Sequence, residues 1–252
     1  MKIIITGSSG FIGGHLKEKL KAEGNEVIAW DRKIGLDIQD FKLEPNTDFV
    51  IHLAANADVR RSIQFPDEYW KNNVEPTTKI QRQCYFNRVP LLYASSSCIH
   101  SWAKSPYGTS KKVNEETAFP GQVALRFTTV YGEGARESMF IGKLMRNEIQ
   151  YATNHIRDFI HVSDVLNAIE LIMLKMTDPH LFPETSLTDA YDIGTGIGNI
   201  VSSLARIRYP GVDIRSGDHC ESPDNTADNS KLKELGWEPK VNVVDYLSQG
   251  IK

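Results

Sequence analysis

The sequence predicts an α/β fold: a doubly wound parallel sheet with a small, interleaved C-terminal lobe. Three observations predict it. The first half alternates short β-branched runs with segments of helical periodicity, the pattern of strand–helix–strand units. A glycine triplet, Gly7-Ser-Ser-Gly10-Phe-Ile-Gly13, stands between the first such run and the first helical segment. Hydrophobic residues make up 40% of 252 residues and 18 glycines add to them, enough apolar mass for a buried core.

The elements follow in order. Lys2–Thr6 is a β-branched run of the kind buried on both faces of a sheet. Phe11–Ala22 places Phe11, Ile12, Leu16 and Leu20 at near-helical spacing, and Gly24 is a natural stop. Glu26–Trp30 is the second strand and 48–53 the third. Residues 67–86 read as helix, although Pro76 must kink or divide it. Residues 90–94 form the fourth strand, 107–118 a helix and Gln122–Phe127 the fifth strand. Beyond Gly132 the pattern loosens. Residues 138–148 and 162–176 look helical, 178–189 reads as a polar, proline-containing loop, and 191–193 as one more short strand. The stretch 217–229 is rich in Asp, Asn, Ser and Gly. This reading divides the chain into a core, 1–132, with returning segments near 158–176 and 191–196, and a lobe built from 133–157 and 197–252.

Charge and cysteine usage narrow the function. Lys plus Arg is 29 against 32 Asp plus Glu, a formal net charge of -3. That balance argues against nucleic acid or a membrane surface as principal partner. Three cysteines, Cys84, Cys98 and Cys220, form no CxxC pair and read as free thiols in a reducing compartment. The opening Met-Lys-Ile-Ile-Ile-Thr-Gly is too short an apolar run for a signal peptide, so a cytoplasmic protein is expected.

The glycine triplet sits where a nucleotide site requires it. Gly7 allows a tight turn, Gly10 admits a pyrophosphate to the backbone, and Gly13 lets the helix pack on the strand. The helix then offers free N–H groups and its positive dipole end. Asp31, ending the second strand, can accept both hydroxyls of an adenosine ribose and favours NAD over NADP; the adjacent Arg32 pulls the other way. Tyr107-Gly-Thr-Ser-Lys111 puts a phenol and an ammonium on one helix face. A nearby ammonium favours phenolate and fits Tyr107 for general-base work. The hydroxyls of Ser95, Ser96 and Ser97 end the fourth strand, at the sheet edge that faces the ligand crevice.

Taken in order, Gly7-x-x-Gly10-x-x-Gly13, His52-Leu-Ala-Ala55, Ser95–Ser97, Tyr107-x-x-x-Lys111, Arg157-Asp-Phe-Ile-His-Val, Tyr191-Asp-Ile-Gly-Thr-Gly196 and Ala227-Asp-x-Ser-Lys231 resemble one family. It is the extended short-chain dehydrogenase/reductases, the NAD-dependent nucleotide-sugar epimerases and dehydratases, and the resemblance covers nearly the whole chain. It implies a Rossmann-type core, NAD as cofactor, a nucleotide-sugar substrate and a homodimer paired through the helices near 67–86 and 106–118. By the resemblance Tyr107 takes the proton from a sugar hydroxyl and Lys111 lowers its pKa and binds the nicotinamide ribose. The family's catalytic hydroxyl falls on Ser96 if His100 stands in place of the usual tyrosine, or else on Ser97. Gly7, Gly10, Phe11, Ile12, Gly13, Asp31, Arg32, Asp37, Ile38, Leu53, Ala54, Ala55 and Asn73 match cofactor-proximal positions, and Arg157 matches a diphosphate ligand.

Two features bear on the subfamily. Dehydratases and decarboxylases generally carry an acid just after the catalytic hydroxyl, and Ser97-Cys98-Ile99 offers none. That favours epimerisation at C4 through a 4-keto intermediate over dehydration, decarboxylation or reduction. Thr129, where most members have Asn, with Arg136 seven positions on, looks like the UDP-glucuronate 4-epimerases. Arginine is the natural bidentate clamp for a sugar carboxylate; the bland alternative is a loop cation beside a neutral replacement. The chain departs from its relatives in length, around 97–107, 150–155 and 204–218. The arginine often found before Ala-Asp-x-Ser-Lys is replaced near Asp218, leaving Arg215 as a candidate substitute. The shortened lobe leaves a non-catalytic NAD-binding member as a third reading.

Overall fold

The computed structural model describes residues 1–177 and 189–249. All but the last residue of the loop expected over 178–189 lies outside the described residues. The chain runs β1 (Lys2–Thr6), α1 (Phe11–Ala22), β2 (Glu26–Trp30), β3 (Phe49–His52), α2 (Val59–Gln64), α3 (Pro66–Tyr69), α4 (Glu75–Phe86), β4 (Leu91–Ser96) and α5 (Pro106–Glu116). It continues through β5 (Gln122–Phe127), β6 (Thr129–Tyr131), α6 (Phe140–Met145), β7 (Tyr151–Thr153), β8 (Ile156–His161) and α7 (Val162–Thr177). The last elements are β9 (Asp189–Ile193), β10 (Gly198–Ile200), α8 (Val201–Arg208), β11 (Asp213–Arg215), α9 (Ser230–Glu234) and α10 (Val243–Ser248).

Six strands form the main sheet in the order β2-β1-β3-β4-β5-β9, every pair parallel. Helices cover both faces, which is why β1 tolerates no polar alternation: Ile3, Ile4 and Ile5 are all buried. Ile3 and Ile5 pack with Leu16 and Leu20 of α1 and Val165, Ile169 and Ile172 of α7. Ile4 points the other way, into Trp30, Phe41, Ile80 and Tyr93. After β1 the chain moves outward to β2, then returns to the other side of β1 for β3. The loops after β1 and β3 therefore diverge and open a crevice at the carboxyl edge, the usual ligand site of such sheets.

Two small sheets, β10-β8-β6 and β11-β7, flank that crevice. A separate cluster lies beneath them, joining Tyr131, Ile141, Leu144, Phe159, Leu204 and Leu247. Leu232 and Trp237, near the chain's end, pack instead into the cluster that holds Ile3.

The helix expected over 67–86 is α3, a π-helical turn at Trp70–Val74, and α4. Pro76 sits in the first turn of α4, directly after the π-helical turn, where its fixed φ suits the start of a helical segment. β4 runs two residues past the expected end because Ser95 and Ser96 pair with Arg126 and Phe127. The expected helix over 138–148 shortens to α6. The strand expected over 191–193 is β9, the sixth member of the main sheet.

Candidate active site

The glycine loop comes first. Gly7 has a φ of +70, and a Cβ there would lie 2.7 Å from the Ala54 nitrogen. A Cβ on Gly13 would lie 2.2 Å from the Gly7 carbonyl oxygen, so nothing larger fits between α1 and the turn. Gly10 stands at the N-terminus of α1 with no side chain capping it. The first N–H groups of the helix thus face the cleft with the dipole's positive end. The Ser8 hydroxyl is buried in this loop without a partner. A glycine-walled cradle, an uncapped helix end and an unpartnered hydroxyl together fit the pyrophosphate of a dinucleotide.

The cleft beyond this loop measures about 1930 Å³. Single drug-sized pockets span roughly 300–1,000 Å³, so a dinucleotide and a second ligand fit together. Gly7, Gly10, Phe11, Ile12, Gly13, Arg32, Leu53, Ala55, Ser96, Ser97, Tyr107, Lys111, Thr129, Arg136 and Arg157 all line it. These residues come from the ends of β1, β2, β3 and β4, from α1 and α5, from β6 and β8 and from the loop before α6, which the fold gathers at one edge.

Tyr107 and Lys111 lie on the first turns of α5, started by Pro106 and capped by the Ser105 hydroxyl, which accepts from the Gly108 N–H. Both side chains are buried. The Lys111 ammonium sits 5.9 Å from the Tyr107 ring centre and donates to the Ala94 carbonyl at 2.7 Å. Burial lowers the pKa of Lys111 to about 8, opposed by the Glu115 carboxylate one turn on.

The expectation that Lys111 lowers the pKa of Tyr107 meets a stronger effect. Burial raises it, with a hydrogen bond to Ser96 and the charge of Arg136 working against that rise. The Ser96 hydroxyl also accepts from the Cys98 N–H at 3.2 Å. Ser97 instead meets Asn225, whose amide donates to the Ser97 hydroxyl at 3.4 Å and to the Thr129 hydroxyl at 3.2 Å. Of the two hydroxyls, Ser96 is the one that favours the Tyr107 phenolate, while Ser97 is taken up by Asn225. Ser95 points away, donating to Glu115.

Arg136 lines the cleft, donating to the Ala57 carbonyl at 3.2 Å and touching the Met139 sulfur at 3.8 Å. Among the described residues it has no acidic partner. Arg157 bonds to the Glu221 carboxylate and the Ser222 carbonyl. Arg215 is not at the cleft: it pairs with Asp213 and covers the Tyr151 ring.

Several expected cofactor positions stand behind the cleft wall. The Asp31 carboxylate accepts from the Ser9 N–H at 3.0 Å and the Lys33 N–H at 2.8 Å, beside the glycine loop. Asp37 caps a short 3-10 turn that includes Ile38, and neither lines the cleft. Ala54 donates its N–H to the Thr6 hydroxyl. Asn73 is wholly buried and spends its amide on the Asn56 backbone and the Ser110 hydroxyl. It holds the post-β3 loop against α5 instead of facing a ligand. His100 turns away to Asp192, at 3.1 Å.

Sequence reasoning missed Asn225, Arg60 and Glu221, all on the cleft wall. Asn225 and Glu221 lie in the polar stretch 217–229, whose composition marks a loop and gives no hint of its course.

The model of the NAD dependent epimerase/dehydratase family matches residues 3–183. The chain belongs to that family. Its members are enzymes that use NAD, and the cradle described above fits that cofactor. The chain is 29% identical to Protein CapI of Staphylococcus aureus, over 99% of this chain and 97% of that protein. It is 27% identical to a UDP-glucose 4-epimerase of Lactobacillus helveticus, over 97% and 94%. Because 328 aligned positions with CapI meet only 252 residues, at least 76 of them have no counterpart here. Among solved structures it resembles MoeE5 in complex with UDP-glucuronic acid and NAD, with a TM-score of 0.84 and 28% identity over 98% of this chain and 96% of that one. Among the described residues, no helix of this family member is long and apolar enough to cross a membrane.

Proposed function

We propose that the protein epimerises a UDP-uronate, best UDP-glucuronate, at C4. The observation that carries this reading is Arg136: a cation on the cleft wall, without an acidic partner among the described residues, close enough to Tyr107 to affect its titration. A bidentate guanidinium suits a sugar carboxylate. The likeness to MoeE5 supports it, since that protein has been seen with UDP-glucuronic acid; it has also been seen with UDP-glucose, so the sugar must be tested directly.

Bound NAD supplies a reversible hydride acceptor and, when oxidised, a positive ring. The chain's own residues handle the proton and the orientation. Tyr107 takes the proton from the sugar O4 and returns it. Because burial alone keeps that phenol protonated, Lys111 and Arg136 must favour the phenolate. Ser96 holds the substrate oxygen beside Tyr107, and Asn225 fixes Ser97 and Thr129 next to them. Cys98, in the place after the hydroxyls, is a thiol whose pKa burial raises, not an acid suited to elimination.

The reading includes two copies paired through the helices near 67–86 and 106–118, with Trp70, Tyr85 and Phe86 exposed there, and a cytoplasmic setting suited to free thiols. Mass spectrometry and anomeric NMR of a nucleotide-sugar panel test the activity. The expected result is a UDP-uronate epimer of unchanged mass. Loss of water or carbon dioxide would assign a dehydratase or decarboxylase; no turnover with NAD retained would assign a binding protein.

A further inference from the structure

One wall of the cleft carries an ion cluster that the epimerase chemistry leaves unused. Glu221 accepts from Arg60 Nε at 2.8 Å with one carboxylate oxygen and from Arg157 Nη2 at 2.9 Å with the other. His155 Nδ1 stands 3.3 Å away, its pKa lowered by burial and by Arg157. Arg60 belongs to α2, on the main-sheet side, and Arg157 to β8. Glu221 arrives from the polar stretch that follows β11, and its carboxylate ties the two sides together.

Backbone contacts deliver it there. Arg157 Nη1 donates to the Ser222 carbonyl at 2.8 Å, and the Ile156 N–H donates to the Pro223 carbonyl at 2.8 Å. Gly217 passes so close to His155 that a Cβ would lie 1.9 Å from its ring. The strap therefore fixes Glu221 between two guanidiniums.

Glu221 gives each guanidinium only one oxygen, and Asp218 reaches Arg60 alone, at 3.8 Å, so neither fork is filled by a carboxylate. A diphosphate would fill them better, with two charges and oxygens enough for two forks. We infer that Glu221 is an internal counter-anion, standing where the substrate diphosphate binds and displaced by it, so that it sets the affinity for nucleotide sugar. This rests on the nucleotide-sugar reading above. A diphosphate must expel Glu221 from a partly desolvated pair before it gains the arginines, so the native carboxylate weakens binding and speeds release.

Calorimetric titration of the NAD-loaded protein with UDP tests it, with uridine as the uncharged control. Glu221→Gln keeps the side chain's shape and removes the competing charge. UDP should bind at least ~10-fold more tightly to that variant, the scale of one charge-assisted bond, while uridine affinity stays unchanged. Equal or weaker UDP binding would show that Glu221 orients the arginines, and would overturn the inference. Hydrogen exchange on the unaltered protein gives a second measure. UDP should speed exchange at the amides of residues 219–222; protection there would equally overturn the displacement. UDP binding is read apart from turnover, so failure here leaves the C4 epimerisation to its own product analysis, and failure there leaves this titration intact.

Discussion

Tyr107 is a buried phenol that must lose a proton, and its surroundings divide over that step. Tyr107→Phe keeps the ring and its packing against Tyr69 but removes the ionisable oxygen. Turnover should fall by at least ~10²-fold, the scale of general-base loss, with NAD still bound in equilibrium dialysis. Near-normal turnover would remove Tyr107 from the proton step. Lys111 sets the pH range. With its pKa lowered to about 8, its charge is present below that pH and lost above it, so turnover should decline on the alkaline side near there. Glu115 raises the pKa of Lys111, so Glu115→Gln should move that decline to lower pH. A structural defect alone would scale kcat at every pH without moving the decline. Arg136→Ala should cost UDP-uronate turnover at least ~10-fold and spare any UDP-glucose turnover, with Arg136→Lys recovering part of the loss. Equal losses on both sugars would make Arg136 a diphosphate or structural residue.

At the scale of elements, α1 shows how sharply position decides a substitution. Gly13 and Gly14 are neighbours in that helix. A Cβ on Gly13 would meet backbone of the Gly7 turn at 2.2 Å, whereas one on Gly14 has only the Ser8 carbonyl at 3.9 Å. Gly13→Ala should destabilise by about 1–3 kcal/mol and weaken NAD binding. Gly14→Ala should be neutral or add about 0.5–1 kcal/mol, since alanine suits a helix interior better. Urea denaturation of the two variants, with an NAD titration of each, separates these outcomes. The same element explains what was legible in the sequence. The strand, the turn and the helix carry separate signals, β-branched run, glycine spacing and apolar period, and all three agree. The cleft's other wall offers no such agreement. β6, β7, β10 and β11 have three residues each, too few for any period to show. β8 contains Arg157, Asp158 and His161 and reads as a motif, because Asp158 is buried by its bonds to Thr195 and Gly196. Glu221 and Asn225 reach the site by tertiary register alone.

The whole molecule gains stability from its cofactor in a way that also decides which cofactor it prefers. The cradle for NAD is made by loops after β1 and β3 and by α5, all attached to the six-stranded sheet, so the unfolded chain retains none of it. NAD at about 100 times its Kd should therefore add ~2.7 kcal/mol to the folded state. For a chain of this size that is a rise in Tm of roughly 5–10 °C, at ~2–4 °C per kcal/mol. NADP carries one more phosphate on the adenosine ribose. Asp31, held beside the glycine loop by the Ser9 and Lys33 N–H groups, should repel it, while Arg32 on the cleft wall attracts it. Because the loop fixes Asp31 and Arg32 is exposed on a 3-10 turn, the carboxylate should prevail. Thermal melts of protein stripped of cofactor should show a clear rise with NAD and a much smaller one with NADP at the same concentration. Asp31→Ala should narrow that gap by lowering the NAD rise and lifting the NADP one. Equal rises with both cofactors in the unaltered protein would transfer the choice to Arg32, and an Arg32→Ala variant should then lose the NADP response alone.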